Sequence, residues 1–409
     1  MYMSKYYLFV TPFFPSPKSW RGGYCYDMVK ALMRVVGNRY VVKVLVPGDG
    51  VEYEYMGIHV SRFVRRTFPC GLAPFVFDGI NKRHFGNVLR RIGVRAADIA
   101  ICHVHTLDLA YVTEYVKAAN PQVLTLLHHH CINPIRLDSG RLGIVPIHAM
   151  ILYFYLRRLC EQVDIHVFCS EQSRKSYGKL YKKNTPELGS EDLRERLWWG
   201  RLFRGIRLPR AVVLYNGIDT RAFHPDETIK RRKVAPRMLN IGCVGNFQPF
   251  KGQMTLIKAI DILHSEGMTG IKVRFIGSGV TLSDCQRYVC EHGLSEIISF
   301  EKEIDHLSLP NFYRSLDLFV LPSRTEGFCC AYIEAIGCGV PVIGCRGVSL
   351  EEVIPNVDKW KWLIVPCDYN DLAAKIRAYI TNRWTFQINR SLDIDKLWKE
   401  FVDSLNQVL

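Results

Sequence analysis

The sequence contains no apolar run long enough to cross a bilayer. Its longest, LGIVPIHAMILYFYL at 142–156, stops at 15 residues and is broken by a proline and a histidine, against the roughly 20 that a spanning helix needs. No transmembrane helix is expected. The opening MYMSKYYLFV has neither the basic start nor the small-residue cleavage site of a secretory signal, and reads as the first strand of a cytoplasmic protein. Paired metal-ligand spacing is missing as well: the 14 cysteines form no C-x-x-C clamp, and Cys329 and Cys330 are adjacent. This excludes zinc ribbons and fingers and leaves most thiols as small, reduced, buried hydrophobes. An RNP-like aromatic strand motif and an isolated recognition helix are also absent, so no nucleic-acid partner is expected.

Acidic residues are scarce in one half only. Residues 1–219 hold 17 Asp and Glu against 31 Lys and Arg, whereas 220–409 hold 22 against 23. A basic half joined to a neutral one suggests that the first half meets something anionic. Three stretches, RFVRRTFP at 62–69, INKRHFGNVLRRIGVR at 80–95 and RERLWWGRLFRGIRLPR at 194–210, mix cations with aromatic and aliphatic residues. That mixture suits lipid headgroups. Peripheral attachment to the inner membrane face is therefore expected, with a solvated basic face serving solubility as the alternative.

What the sequence does have is the rhythm of α/β domains. Short β-branched and aromatic runs (KYYLFV, YVVKVLV, DIAICHV, VLTLLH, DIHVFC, AVVLY) alternate with helical patterns. In GGYCYDMVKALMRVV, Met28, Leu32 and Val36 recur every four residues, with Val29 and Met33 beside them, which gives one apolar helical face. After a polar, proline-bearing stretch the rhythm repeats from MLNIGCVGN onward. The organisation predicted is a basic domain at 1–219, a linker at 220–237 and a second domain at 238–409. A terminal helix within 391–409, with Leu397, Phe401 and Leu405 on one face, is expected to pack back toward the first domain. The fold class is α/β: two doubly wound parallel-sheet Rossmann-like domains facing across a cleft, with ligands beyond the carboxyl ends of the strands.

Four motifs carry chemistry. In EGFCCAYIEAIGCGVPVIG, Glu326 lies in a loop at a strand's end and Glu334 about one and a half turns into a helix starting near Phe328 or Cys329. Small, apolar neighbours imply burial, and a buried carboxylate needs a hydrogen-bond donor such as a sugar or ribose hydroxyl. The backbone amides of Phe328 to Ala331, at that helix's N-terminus, form a site for anionic oxygens. A second motif, Gly245 to Gly252, puts Lys251 where its ammonium can neutralise charge growing on a departing phosphate. Its bland reading is an ordinary salt bridge. Gly22 and Gly23 open the first helix and allow close approach of a phosphate or sugar, or form a plain turn. The run His128-His129-His130 closes a strand. Adjacent histidines on an extended chain alternate faces, so a neutral hydrogen-bond partner is expected there and a metal site is not.

These residues together resemble a retaining glycosyltransferase of family 4, which has the GT-B fold. The resemblance spans nearly the whole chain: PFFPSPKSWRGG, VLTLLH, VVLYNGIDTRAF, VGNFQPFKGQMTLIKAI and, most specifically, the Glu, seven residues, Glu motif with its CGVPVI tail. It implies that Glu326 contacts the donor sugar and Glu334 the ribose, while Lys251 with the backbone at Gly327, Phe328, Cys329 and Cys330 holds the diphosphate. It places His128 near the transferred sugar and Gly22 and Gly23 at the phosphate and acceptor. It implies a nucleotide-sugar donor, a lipid-linked or saccharide acceptor, and neither cofactor nor metal. Two departures stand out: Asn246 replaces a basic residue usual in the family, and Cys329 a frequent glycine. The first keeps open a relative that only binds, or isomerises, a sugar nucleotide.

Overall fold

The computed structural model describes residues 5–17, 19, 21–67, 74–130, 155, 157–179, 210–226, 238–382 and 384–407. The chain divides into two units, Met1–Tyr215 with Trp398–Leu409, and Asn216–Leu397. Of the expected linker, 227–237 lie outside the described residues, as do 142–154 and 194–209 of the apolar and basic stretches. Among the described residues no helix is long and apolar enough to cross a membrane.

The first unit is built on an eight-stranded sheet in the order β3-β4-β2-β1-β5-β6-β7-β8. Its strands are β1 (Tyr6–Val10), β2 (Val41–Pro47), β3 (Tyr53–Tyr55), β4 (Ile58–Phe63), β5 (Ile99–Val104), β6 (Leu124–His129), β7 (Ile165–Phe168) and β8 (Ala211–Val213). All pair in parallel except β3 with β4. Helices lie between most of the parallel strands, β2 reaching β4 through β3 instead, and strands such as LTLLHH are buried throughout. The antiparallel hairpin was not foreseen from sequence. Its turn is Met56-Gly57, with φ of 48° and 79°, the left-handed pair of a type I′ turn, and a non-glycine, non-Asn first residue hides that signal.

The first helix, Gly23–Val36, buries Cys25, Met28, Val29, Ala31, Leu32 and Val36. Met33, expected on that face, is exposed. The last helix, Ile394–Asn406, buries Ile394, Trp398, Phe401, Val402 and Leu405. Its apolar stripe therefore runs through Trp398 where Leu397 was expected, because the larger ring takes the core position while Leu397 sits half-buried beside it.

The second unit holds a six-stranded, all-parallel sheet in the order β11-β10-β9-β12-β13-β14. The strands are β9 (Leu239–Val244), β10 (Ile271–Ile276), β11 (Ile298–Glu301), β12 (Leu318–Leu321), β13 (Val342–Cys345) and β14 (Leu363–Ile364). Progression runs outward in one direction from β9 to β11 and in the other from β12 to β14. The strand order therefore reverses between β9 and β12, and the loops leaving these two strands diverge around a crevice.

Candidate donor site at the β9/β12 switch point

The two loops at this reversal are locked together by backbone bonds. Gly252 adopts φ of +75°, and a Cβ there would lie 2.1 Å from the Pro322 carbonyl oxygen, so only glycine permits the approach. Arg324 donates its amide to the Phe250 carbonyl at 2.8 Å, the Ser323 hydroxyl donates to the same oxygen at 3.2 Å, and the Arg324 guanidinium reaches Pro249 O at 3.1 Å. The loop leaving β10 closes in similarly: a Cβ on Gly277 would stand 2.4 Å from the Gly245 carbonyl oxygen.

This clamp brings together two residues that sequence analysis singled out separately. Lys251 Nζ lies 2.6 Å from Glu326 Oε1, with the side chains only 17% and 10% exposed. Burial works against the Lys251 ammonium, but its pKa is raised above the ordinary lysine value by Cys329 and by the charge and hydrogen bond of Glu326. Burial pushes the Cys329 thiol up to about 12, so it is neutral near pH 7 and Glu326 is the partner that matters. Lys251 also lies over the Phe250 ring, 5.8 Å from its centroid.

The helix Cys330–Gly337 follows, with Cys329 as an extended N-cap at φ −81° and ψ 110°. It begins slightly later than expected, because Phe328 and Cys329 are buried in the extended approach to it. Its dipole and first-turn amides sit beside the Gly327 loop. Glu334 is buried, and the Tyr313 hydroxyl donates to its Oε2 at 2.8 Å. Both glutamates thus have polar partners, and neither is a solvated helix-end acid. Asn246 is exposed on the same loop as Lys251.

Sequence reasoning missed Tyr313, on the helix Leu309–Arg314, and Asn216. The Asn216 amide donates to Phe328 O at 3.4 Å, while its buried Oδ1 has no partner. Only the NGID motif hinted at Asn216; nothing local marked Tyr313.

In the first unit, Gly22 caps the first helix at φ 92°, where a Cβ would stand 3.0 Å from Phe13 O. Gly23 is the first helical residue, and Tyr24 next to it packs edge-on against His130 at 5.3 Å. His128 is fully buried on β6, with no partner at either ring nitrogen. Burial first, then His130, holds its pKa well below the usual histidine value. His129 faces the other way and lies 2.9 Å from His166. Many cations of the basic stretches have carboxylate partners: Arg62 with Asp49, Arg65 with Asp108, Lys82 with Glu114, Arg91 with Glu52, Arg95 with Asp98.

Comparison with known proteins bears on the second unit most directly. Residues 226–394 match the family model of glycosyl transferases group 1. The lipopolysaccharide core biosynthesis mannosyltransferase LpsB of Rhizobium meliloti is 32% identical over 187 residues, covering 44% of this chain and 52% of that protein. A GDP-mannose-dependent phosphatidylinositol monomannoside mannosyltransferase of Mycolicibacterium smegmatis is 30% identical over 149 residues, 34% of this chain and 39% of that one. The aligned part is thus about half or less of these relatives' length. Among solved structures, HepE of Anabaena in complex with UDP and glucose matches with a TM-score of 0.69 at 13% identity, over 98% of this chain and 100% of that one. The sucrose-phosphate synthase of Thermosynechococcus elongatus gives 0.68 at 17% identity, over 98% and 95%. The chain therefore has the GT-B fold of two parallel-sheet α/β units, and its likeness to the glycosyl transferases group 1 model is confined to residues 226–394.

Proposed function

We propose that the chain is a retaining glycosyltransferase moving a sugar from a nucleoside diphosphate sugar to an acceptor hydroxyl, in the synthesis of a cell-surface polysaccharide or glycolipid. The observation that carries this reading is the Lys251–Glu326 pair spanning the β9/β12 switch point, where α/β sheets bind ligands. An ammonium offers three N–H donors. Lys251 can therefore keep Glu326 and still donate to a β-phosphate, while the amides at Gly327 to Cys330 take its other oxygens. Glu334, fixed by Tyr313, has a second carboxylate oxygen to accept from ribose hydroxyls, and Glu326 faces the sugar. Arg324, bound to the same loop, supplies the second cation that Asn246 does not.

In the transfer, the bond from the anomeric carbon to the β-phosphate oxygen breaks and one to the acceptor oxygen forms on the same face. The departing phosphate takes the acceptor proton. The transition state is oxocarbenium-like, so stabilisation of the leaving diphosphate by Lys251 and the helix dipole dominates. This step uses no metal.

A thermal-shift screen across UDP, GDP and ADP sugars tests the reading first, since a ligand at about 100 times its Kd stabilises by about 2.7 kcal/mol. Turnover of the selected donor by Lys251→Ala and Glu326→Gln follows; wild-type rates in both would reject the assignment. Asn246 favours a second reading, a sugar-nucleotide binder or isomerase. Incubation with donor alone separates the two, since an isomerase yields an epimer.

A lipid-surface contact is the finer part of the proposal. Its support is the charge asymmetry and the basic, aromatic-bearing stretches at 62–69, 80–95 and 194–210. Co-sedimentation with anionic but not neutral vesicles is expected; binding to neither removes this part.

A further inference from the structure

Two cysteines of the second unit meet at the edge of its sheet, at a turn better suited to glycine. Cys345 ends β13, opposite Ile364 at the end of β14, and the Arg346 amide keeps the strands together there by donating to Ile364 O at 2.9 Å. Immediately beyond β14 the chain reverses through Val365-Pro366-Cys367-Asp368, where the Asp368 amide donates to Val365 O at 3.1 Å. Proline at the second position and φ of 65° at the third define a type II turn, whose third position favours glycine or asparagine. A Cβ is strained there, so the turn gives no local reason for a cysteine. Such an outlier points to a role beyond the turn itself.

The reversal carries Cys367 back over the end of β13. Its amide acts as a hydrogen-bond donor on the Cys345 sulfur, and its thiol acts on the same atom. Neighbouring strands stand about 4.8 Å apart, and a disulfide spans Cα separations up to about 6.8 Å, so a turn folded back over the adjacent strand is within reach of one. The two thiols differ in access. Among the described cysteines only Cys290 and Cys367 are exposed, whereas Cys345 is fully buried. Burial first, then the Cys367 thiol, pushes the Cys345 thiol up to about 12, against the Cys367 amide and the Arg324 guanidinium. Cys345 therefore holds its proton near pH 7, and Cys367 is the sulfur that an oxidant in solution reaches.

We propose that Cys345 and Cys367 form a redox-modification site, closing to an intramolecular disulfide when the chain meets a disulfide oxidant of the glutathione type. Cys367 attacks the S–S bond of the oxidant and gives its proton to the first thiol released, which leaves a mixed disulfide on Cys367. Cys345 then attacks the Cys367 sulfur, its proton passing to the second departing thiol. The chain loses two electrons and two protons, and one oxidant molecule is reduced to two thiols. The second step is the slow one, because Cys345 must surrender a proton that burial retains. A mixed disulfide therefore precedes the internal bond. That bond ties the turn after the edge strand β14 to the strand beside it.

The test uses the full chain, reduced, freed of reductant, held in glutathione buffers from fully reduced to fully oxidised, then alkylated and mapped by peptide mass. A link between Cys345 and Cys367 is expected to follow a transient glutathione adduct at Cys367, to reach more than about half of the chains in the oxidised buffer, and to reopen with dithiothreitol in the absence of denaturant. Cys345→Ala should stop at the adduct and Cys367→Ser should form neither. Cys290→Ser, at the other exposed thiol, should link as the wild type does. A wild-type chain that ends at the Cys367 adduct, or stays unmodified, in the oxidised buffer overturns the proposal, as does linkage of Cys367 to other cysteines as often as to Cys345. Should Cys345→Ala fail to fold, the wild type and the surface variant Cys367→Ser decide alone. The readout is the bond itself, so it is independent of transfer activity.

Discussion

Replacing Lys251 separates what its pairing with Glu326 does for the fold from what its charge does for the reaction. In Lys251→Met the aliphatic stem is retained and the ammonium removed, leaving Glu326, 10% exposed, without its 2.6 Å partner. Exposed pairs are worth about 0–1 kcal/mol, and stripping one partner from a fully buried pair costs about 3–5 kcal/mol. A site this enclosed but still wetted falls between them, at about 2 kcal/mol. For a unit of this size that lowers Tm by about 4–8 °C. Loss of a charge donor to the leaving group costs far more in rate, about 10²–10³ in kcat, with a smaller change in KM. The double variant Lys251→Met/Glu326→Gln removes the stranded carboxylate, so most of the stability should return while kcat stays low. Calorimetry and initial rates on the donor selected by thermal shift measure both. Recovery of kcat along with Tm in the double variant would refute the reasoning, since Lys251 would then be only a structural counter-ion.

Three further outcomes follow from the geometry. Gly252→Ala places a Cβ 2.1 Å from Pro322 O at φ +75°; it should cost at least about 2 kcal/mol and lower kcat by shifting Lys251, whereas an unchanged Tm would show that the loops are not clamped there. Tyr313→Phe removes the donor to Glu334 and should cost about 1–3 kcal/mol and weaken nucleotide binding severalfold, read by calorimetric titration. His166 is fully buried, and burial lowers its pKa to about 4 against the opposing bond to Cys160 O; its neutral form therefore contributes stability that is full above about pH 6.5 and lost as pH falls toward 4. Between pH 7 and 5 the wild type should lose about 2 kcal/mol through this group, and urea midpoints of His166→Gln should show a flatter pH slope.

The alternation of strands and helices was legible because periodicity is local: the face of Met28, Leu32 and Val36 is written in four-residue steps, and the strands of both sheets in apolar runs. The exceptions were β11, a short run, Ile298–Glu301, ending in an acid, and the β3–β4 hairpin, where Met56 occupies a left-handed position that gives no compositional warning. The carboxylates at Glu326 and Glu334 were visible as anomalies against apolar neighbours. Their partners were not, since Lys251 lies 75 residues from Glu326 and Tyr313 sits on a separate helix. The sequence by itself thus determined which segments become strands and helices, and that two acids would be buried and need donors. Only the tertiary structure decided which donors those are, and that Cys367 meets Cys345. Such meetings depend on which strands become neighbours and in what register, and that is settled by how crossover helices pack across the whole sheet, a property no short window of residues carries.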